Sequence, residues 1–260
     1  YLDGYLSRVC FADGSTLSPS SFGYLNTEIN EWVTNSASAV KAVVDAGGTN
    51  SFMLEFEDGT SLTTLGNDYS TKNNDWTLTN HSLTAGVTYD WMEDRPGNSY
   101  AVLNPLVVPE LSTTFTNGNL DFSGAGQVTG TQAIVQDIYF EYSPTNATPS
   151  GVGICPIGTT SRGGGAGVSS SVLYLSGGAV YLSGVLYSTK ATYNNTNVIS
   201  VVRDKTNGTV KFYKDNVLQE TVGAGGDFLP YGLGNVGATG AFNFGQRPFT
   251  YTPPTGFLAL

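Results

Sequence analysis

The single histidine limits the catalytic chemistry open to this chain. His81 lies in the polar turn Thr79–Ser82, and no serine sits in a nucleophile-elbow pattern. A Ser-His-Asp or Cys-His arrangement would have to use this one residue. A zinc site is also disfavoured, because one histidine and two distant cysteines cannot supply four ligands without help from carboxylates. We therefore interpret His81 as a solvated loop residue.

Paired carboxylates are the second arrangement that could catalyse hydrolysis, here of a glycosidic bond. Glu55 and Glu57 alternate along a predicted strand, which would place their side chains on one face about 6–7 Å apart. A retaining glycosidase needs carboxyl groups about 5–5.5 Å apart. Asp137 and Glu141 also alternate along a predicted strand. Solvated strand faces explain all four residues more simply, so we predict no enzyme and keep a glycoside hydrolase using Glu55 and Glu57 as a distant alternative.

A loop rich in oxygen ligands makes calcium the metal to consider. Asp68, Ser70, Asn73 and Asp75 lie within eight residues, and carboxylate, hydroxyl and amide oxygens suit this ion. The spacing lacks the twelve-residue form of an EF-hand and its closing glutamate. An Asx-rich turn without an ion is the simpler interpretation. We predict no cofactor and keep calcium at these four residues as an open alternative.

Composition narrows the class further. The 260 residues include 33 glycines, only 12% are charged, and the formal net charge is −10. Few charges, many turn formers and short apolar stretches are typical of an all-β protein. The 11 lysines and arginines form no run, which disfavours binding to nucleic acid or to an anionic membrane.

The cysteines and the hydropathy pattern carry little functional information. Cys10 and Cys155 each lie in an apolar, strand-like stretch, so we predict two small buried thiols. No apolar run reaches about 18 residues, so the sequence predicts no segment that crosses a membrane.

The first part of the chain mixes strands with one helix. The segment 28–46 has helical spacing of Ala39, Val40, Val43 and Val44, and the glycines that follow would end the helix. Alternating Phe52, Leu54 and Phe56 predict a strand. The proline-containing segment from Asp94 to Leu111 predicts an extended connector on the surface.

A hairpin gives the strongest local signal in the sequence. The apolar run from Ile199 enters a turn at Asp204–Gly208, and Val210 and Phe212 then share one face of the next strand. A second turn follows at Lys214-Asp215-Asn216, and the region closes with the letters FNFGQRPF at 242–249.

Together these motifs resemble the SPRY (B30.2-like) family. The stretch QDIYFEY ending at Tyr142, the Gly-Val-Gly-Ile stretch at 151–154 and a hairpin around Gly177-Gly178 extend the resemblance over residues 117–260. The resemblance implies an antiparallel β-sandwich that binds partners through its loops and performs no chemistry. It also implies that Asp204 and Gly208 fix the turn and that Phe212 and Phe244 lie in the core.

The N-terminal segment resembles another module. The letters DGYLSRVCFADG resemble the closing strand of concanavalin A-like, laminin-G-like jelly rolls, and the loop from Asp68 to Trp76 resembles a loop that opens such modules. The resemblance implies a partial laminin-G-like β region at 1–93, joined through a connector at 94–116 to the sandwich, and such modules sometimes bind calcium. We expect the chain to be part of a longer polypeptide.

This combination of segments resembles bacteriophage virion proteins. The resemblance implies an extracellular location on the virion surface, in a tail fibre, spike or capsid decoration, and assembly into a homo-oligomer. Its partner would be a host-surface polysaccharide or another virion protein. A bacterial surface adhesin is the alternative.

Aromatic residues supply the candidate ligand contacts. Trp and Tyr side chains in loops could stack on sugars or pack on a protein partner. The candidates that we assign to loop-like contexts are Trp76, Trp91, Tyr187, Tyr193 and Tyr231.

Overall fold

The chain divides into two units, which the computed structural model describes over residues 6–28, 30–84, 88–94, 99–107, 113–159 and 170–260. The first unit comprises Tyr1–Ser99 and the second Tyr100–Leu260. The predicted connector is therefore wrong in part, because Ala101 and Leu103 lie fully buried within the second unit rather than on its surface. The backbone N–H of Ala101 donates to the carbonyl of Leu260 at 2.8 Å, which ties this segment to the end of the chain.

Small elements build the described part of the first unit. Its strands pair antiparallel as β1 with β4, β2 with β3 and β5 with β6. The elements are β1 (Val9–Phe11), a 3-10 turn (Pro19–Ser21), β2 (Gly23–Asn26), β3 (Glu31–Thr34), α1 (Ala37–Asp45), β4 (Phe52–Leu54), α2 (Leu62–Leu65), β5 (Leu83–Thr84) and β6 (Thr88–Tyr89).

The predicted helix is confirmed only in its second half. Ser36 caps α1 by accepting a hydrogen bond from the N–H of Ala39, and Val40 and Val44 face Met53 in a buried cluster. The expectation of helix over 28–34 is wrong, because β3 occupies part of that segment. There Trp32 and Val33 favour extended backbone and pair with β2.

Two antiparallel sheets form the second unit and confirm the predicted all-β sandwich. The seven-stranded sheet has the order β17-β16-β15-β10-β19-β8-β7, and the six-stranded sheet has the order β14-β13-β12-β11-β18-β9. The strands are β7 (Thr114–Thr116), β8 (Asp121–Ser123), β9 (Gly126–Thr129), β10 (Ile138–Pro144), β11 (Ser150–Pro156), β12 (Val172–Leu175), β13 (Ala179–Leu182), β14 (Val185–Thr189), β15 (Ile199–Asp204), β16 (Thr209–Lys214), β17 (Val217–Gly223), β18 (Phe228–Gly234) and β19 (Thr239–Asn243).

Stacked aromatic rings fill the space between these sheets. Phe242 in β19 lies 5.0 Å from Tyr142 and 5.4 Å from Phe244, measured between ring centroids. A Cβ on Gly232 of β18 would lie 2.9 Å from the Phe242 ring. The glycine therefore lets the facing sheet approach this ring closely.

The predicted motif residues occupy the places that the SPRY resemblance implies. Asp204 ends β15 and accepts hydrogen bonds from both the backbone and the side chain of Asn207. Gly208 has φ of 66°, the left-handed conformation that such a turn requires. Phe212 and Phe244 are fully buried.

Buried charges in the sandwich serve structure. Glu141 was expected on a solvated face, but it is buried and accepts hydrogen bonds from the Tyr139 hydroxyl at 2.7 Å and from the N–H groups of Thr250 and Tyr251 at 2.8 and 2.9 Å. It thus fastens the C-terminal segment to β10. Arg203 is buried as well, and its guanidinium lies 5.3 Å from the centroid of the Phe228 ring.

Both cysteines are free thiols. Cys155 is buried and Cys10 is partly buried. Desolvation raises the pKa of Cys155 to about 12 and that of Cys10 to about 11, so both thiols stay protonated and unreactive near neutral pH.

None of the helices in the described part of the chain is long and apolar enough to cross a membrane.

Candidate functional site

Three aromatic side chains form a strip on the surface of the first unit. Phe11 and Phe52 are direct cross-strand partners in β1 and β4, with ring centroids 5.7 Å apart. The Trp76 ring lies 5.1 Å from that of Phe52, with the two ring planes inclined at 57°. Phe11 and Trp76 remain about half exposed. We call Phe11, Phe52 and Trp76 the aromatic strip.

The backbone around Trp76 is firmly held. Its N–H donates to the carbonyl of Gly66 at 2.8 Å, and a Cβ on Gly66 would lie only 2.0 Å from the Trp76 carbonyl oxygen. Two residues earlier, the Asn74 amide donates to the carbonyls of Thr49 and Ser51 at 2.8 Å each. The strip is therefore preorganised, which lowers the entropic cost of binding a ligand.

The predicted calcium loop is held by its own hydrogen bonds. The Asp68 carboxylate accepts from the N–H groups of Met53, Ser70 and Asn74 and from the Ser70 hydroxyl, at 2.7–2.8 Å. Asp75 accepts from the N–H of Asp68 at 2.8 Å. Burial opposes ionisation of Asp68, but these hydrogen bonds outweigh it and lower its pKa.

These residues do not fit a calcium ion. All four lone-pair positions of Asp68 are used by protein donors, so an ion would have to displace them. Asn73 has φ of 56° and Ser70 accepts from the N–H of Lys72, both features of a closed turn. Within the described ranges, no cluster of three or more His, Cys, Asp or Glu side chains could hold a metal.

An apolar sheet edge is the second exposed surface. Strand β14 is the outermost described strand of the six-stranded sheet, and Val185, Leu186 and Tyr187 are 69%, 54% and 51% exposed. They follow the two-residue turn Ser183-Gly184, where φ is 53° and 78°. A bulge interrupts the register beside Tyr187, so consecutive side chains turn outward. We call these three residues the apolar edge.

Polar contacts fix β14 against β17, which is an edge strand of the other sheet. The Ser188 hydroxyl donates to Glu220 at 2.5 Å, and the Lys190 ammonium lies 3.1 Å from the same carboxylate. Burial opposes ionisation of Glu220, but hydrogen bonds from Ser188, Thr221 and Lys190 outweigh it and lower its pKa. The apolar edge is therefore held on a rigid support.

Two of the predicted aromatic contacts are not available to a ligand. Tyr193 is buried, and its hydroxyl donates to the carbonyl of Tyr174 at 2.8 Å. Tyr231 lies inside β18 rather than in a loop and packs with Cys155 and Leu173. Both predictions are corrected: Tyr193 is buried against Tyr174, and Tyr231 is buried on the face of β18 opposite to that of Gly232.

Of the remaining predicted aromatic residues, one is partly buried and two are exposed. Trp91 is partly buried, donates from its indole N–H to the carbonyl of Phe56 at 2.7 Å and lies on the backbone of Gly59. Its ring thus has a structural support role on one side. Trp76 and Tyr187 are exposed and lie in the aromatic strip and the apolar edge, respectively.

The geometry that would pair Glu55 with Glu57 is absent. Strand β4 ends at Leu54, and Phe56 has φ of 53°, so the predicted alternation stops there. Glu55 is almost buried and forms an ion pair with Arg8 at 2.7 Å. His81 is exposed, with its Nδ1 3.0 Å from the carbonyl of Thr79.

Sequence reasoning missed Phe11, Phe52, Val185 and Leu186 as surface residues. Nothing local reveals that Phe11 and Phe52 are neighbours, because 41 positions separate them in the sequence. By contrast, the run Val-Leu-Tyr after Ser-Gly contains three consecutive apolar residues. That run breaks the alternation of a half-buried strand and could have indicated an exposed edge.

Comparison with known proteins gives likeness in fold only. No family model matches the chain, and no curated protein matches it. Among solved structures it is similar to the SPRY domain of human HERC1, with 15% identity, a TM-score of 0.44 and coverage of 52% of this chain and 94% of that one. The PSpry domain of TRIM65 shows 12% identity, a TM-score of 0.46 and coverage of 55% and 92%.

A human SPRY domain gives similar values, with 14% identity, a TM-score of 0.41 and coverage of 51% of this chain and 94% of that one. These neighbours are SPRY domains, the family that the sequence motifs resemble. The assignment of an antiparallel β-sandwich rests on the strand order and register described above.

Proposed function

We propose that this protein is a non-enzymatic virion-surface protein, part of a fibre, spike or capsid decoration, whose sandwich binds another protein at the apolar edge. The observation that carries the docking proposal is the exposure of Val185, Leu186 and Tyr187 on an outermost strand. The virion location rests on the resemblance of the sequence motifs to bacteriophage proteins.

An exposed apolar edge favours a protein partner that adds a strand. Among the described strands, β14 pairs only with β13. Its other side therefore offers backbone N–H and C=O groups in the spacing that another extended chain can pair with. Apolar side chains beside this edge would add affinity through burial, at about 25 cal/mol per Å². Sugars cannot form such a ladder.

Buried residues support a role without chemistry. Glu141 holds the C-terminal segment, and Asp204 holds its turn. Glu55 and Glu220 are engaged in ion pairs with Arg8 and Lys190. These carboxylates have structural partners that a substrate would have to displace.

A charged residue at the apolar edge tests the docking site. Proteins of the source particle would first be cross-linked to the full chain through a photoreactive group at Tyr187, and the captured partner purified. We then expect Leu186→Lys to weaken binding of that partner at least about tenfold, because lysine at a sheet edge opposes strand addition.

Leu218→Lys is the matched control, since Leu218 is 51% exposed on β17, an edge strand of the other sheet. Equal binding by the wild type and Leu186→Lys would contradict docking at β14. Absence of antibody label for this chain on the source virion in negative-stain images would contradict the location.

A further inference from the structure

We propose that the aromatic strip of the first unit binds a neutral carbohydrate, at a site independent of the protein docking proposed for the second unit. The Phe52 ring lies next to the exposed rings of both Phe11 and Trp76, with its plane inclined at 26° to the first and 57° to the second. Their backbones lie in the β1–β4 ladder or are tied to Gly66. The rings therefore form a fixed platform before any ligand arrives.

The chemistry of the platform suits the face of a sugar ring. The face of an aromatic ring is electron-rich, so it attracts the polarised C–H groups that cover one side of a pyranose. A sugar also carries hydroxyl groups at its rim, which need hydrogen-bond partners once they leave water. A matching site must combine exposed rings with nearby amide, hydroxyl or carboxylate groups.

Such polar groups lie within two residues of the strip residues along the chain. Asp75 and Thr77 flank Trp76, and both are exposed. Asn50 precedes Phe52 by two residues, is exposed and donates from its amide to Asp13 at 3.0 Å. The Asp13–Asn50 pair presents a carboxylate beside an amide, which can accept from and donate to neighbouring hydroxyls.

The charge of the first unit selects against acidic sugars. Residues 1–99 contain 13 acidic and 4 basic side chains, whereas residues 100–260 contain 8 and 7. Along the chain, Asp13 follows Phe11 by two residues and Asp75 directly precedes Trp76. A uronate or sialate would meet a negative field there, so we infer a neutral sugar.

The apolar area also favours a small ligand over a protein. Three aromatic side chains of about 150–250 Å² each, half exposed or less, offer roughly 200–300 Å² of ring surface. A standard protein interface buries about 800 Å² per partner, of which more than half is apolar. The strip matches one or two sugar units better than it matches a folded partner.

Binding of defined sugars by the full chain tests this inference. Wild-type protein would be applied to an array of neutral, acidic and amino-sugar oligosaccharides, and the strongest neutral binder titrated by calorimetry. We expect Trp76→Ala to weaken binding at least tenfold and Phe11→Ala to weaken it severalfold. Trp76→Phe should retain part of the affinity because it keeps an aromatic face.

Trp32→Ala is the matched control. Trp32 lies in β3 of the same unit and is 54% exposed, compared with 47% for Trp76. It lies outside the strip, so its loss should change the affinity less than twofold. Circular dichroism and melting of each variant would separate lost binding from lost folding, and Phe11→Ser gives a second strip variant if Trp76→Ala unfolds.

Several results would overturn the inference. They are no binding of any neutral oligosaccharide, preference for acidic sugars, or equal losses in Trp76→Ala and Trp32→Ala. Concentration-dependent self-association that Trp76→Ala abolishes, without sugar binding, would show that the strip is a protein interface instead. Failure of the Leu186→Lys test would leave this result unaffected, because that variant lies in the other unit.

Discussion

In the second unit, Phe122, Phe140 and Phe242 lie buried between two sheets, whereas in the first unit Phe11 and Trp76 stay about half exposed. The difference follows from architecture. Two large stacked sheets enclose a space about 10 Å thick that rings can fill, and sheets of two strands leave most of one face open. An aromatic residue on an inner strand of the sandwich is therefore buried, whereas one at a sheet edge, such as Tyr187, or in the first unit can be part of a binding surface.

The two units also differ in their net charge. Nearly all of the net negative charge belongs to residues 1–99. Several carboxylates there organise loops, as Asp68 and Asp75 do. The second unit has almost balanced charge and obtains its stability mainly from strand pairing and ring packing.

Removing one ring from each unit should give the largest contrast. We expect Phe242→Ala to destabilise the sandwich by about 4 kcal/mol, since it leaves a cavity among Phe140, Tyr142 and Phe244. Trp76→Ala should cost only about 1–2 kcal/mol, because half of its surface is already in water.

Native-state hydrogen exchange would assign each loss to its own unit. The comparison would fail if Trp76→Ala cost as much as Phe242→Ala. In that case Trp76 would belong to the core of the first unit and would not be free to bind a ligand.

Asp68 should give the next largest effect, confined to the first unit. Asp68→Ala leaves the buried N–H donors of Met53 and Ser70, and the partly buried N–H of Asn74, without their acceptor, at a cost of about 3 kcal/mol. Asp68→Asn should cost less, because its amide oxygen keeps part of this set. Urea unfolding of the full chain, resolved by exchange at Met53, would measure both.

The pH dependence has a definite sign. The folded pKa of Asp68 is lowered, so its contribution is complete above the unfolded pKa of about 4 and is lost as pH falls through the folded value. Wild type should lose this contribution in acid, whereas Asp68→Ala should show a smaller pH slope. If Asp68→Ala were less stable than the wild type only when calcium is added, that result would support a calcium site at this loop.

How far the sequence predicts this structure depends on the distance between interacting residues. The turns at Gly208 and at Asp215-Asn216 were predictable, because Asn-Gly and Asp-Asn adopt positive φ readily and the flanking residues alternate. The core positions Phe212 and Phe244 were expected from the resemblance to the SPRY family, and the alternation after Gly208 also places Phe212 beside Val210 on one face of its strand. Strand β3 was not predictable, since its pairing with β2 overrides weak helical spacing.

The candidate site was less predictable than the fold. Trp76 and Tyr187 are exposed, although Tyr187 lies in strand β14 rather than in a loop. Tyr193 and Tyr231 are buried, and the apolar neighbours of Tyr231 in the stretch 228–234 already favour a strand. Only the sheet order places Tyr231 at the centre of β18 and Tyr187 at an edge. The exposure of each aromatic side chain depends on which strands pair over long sequence distances, and this pairing cannot be read from a single sequence.

The smallest effect should come from Asp204, the counterpart of Asp68 in the second unit. Asp204 accepts from the N–H and amide of Asn207 and from Lys211, and the amide hydrogen bond is the main reason that its pKa is lowered. Unlike the donors at Asp68, Asn207 is exposed and can turn to water. We expect Asp204→Ala to cost about 1 kcal/mol.

Guanidinium unfolding of Asp204→Ala beside Asp68→Ala makes the comparison direct, because both variants remove a carboxylate whose pKa is lowered. A cost at Asp204 as large as that at Asp68 would mean that the turn, and not the ring packing, limits the stability of the sandwich. A small cost would show that a carboxylate stabilises a loop strongly only where its donors cannot reach water. On that basis the conformation of the closed loop before Trp76 depends on Asp68, and the position of Trp76 in the aromatic strip depends on that loop.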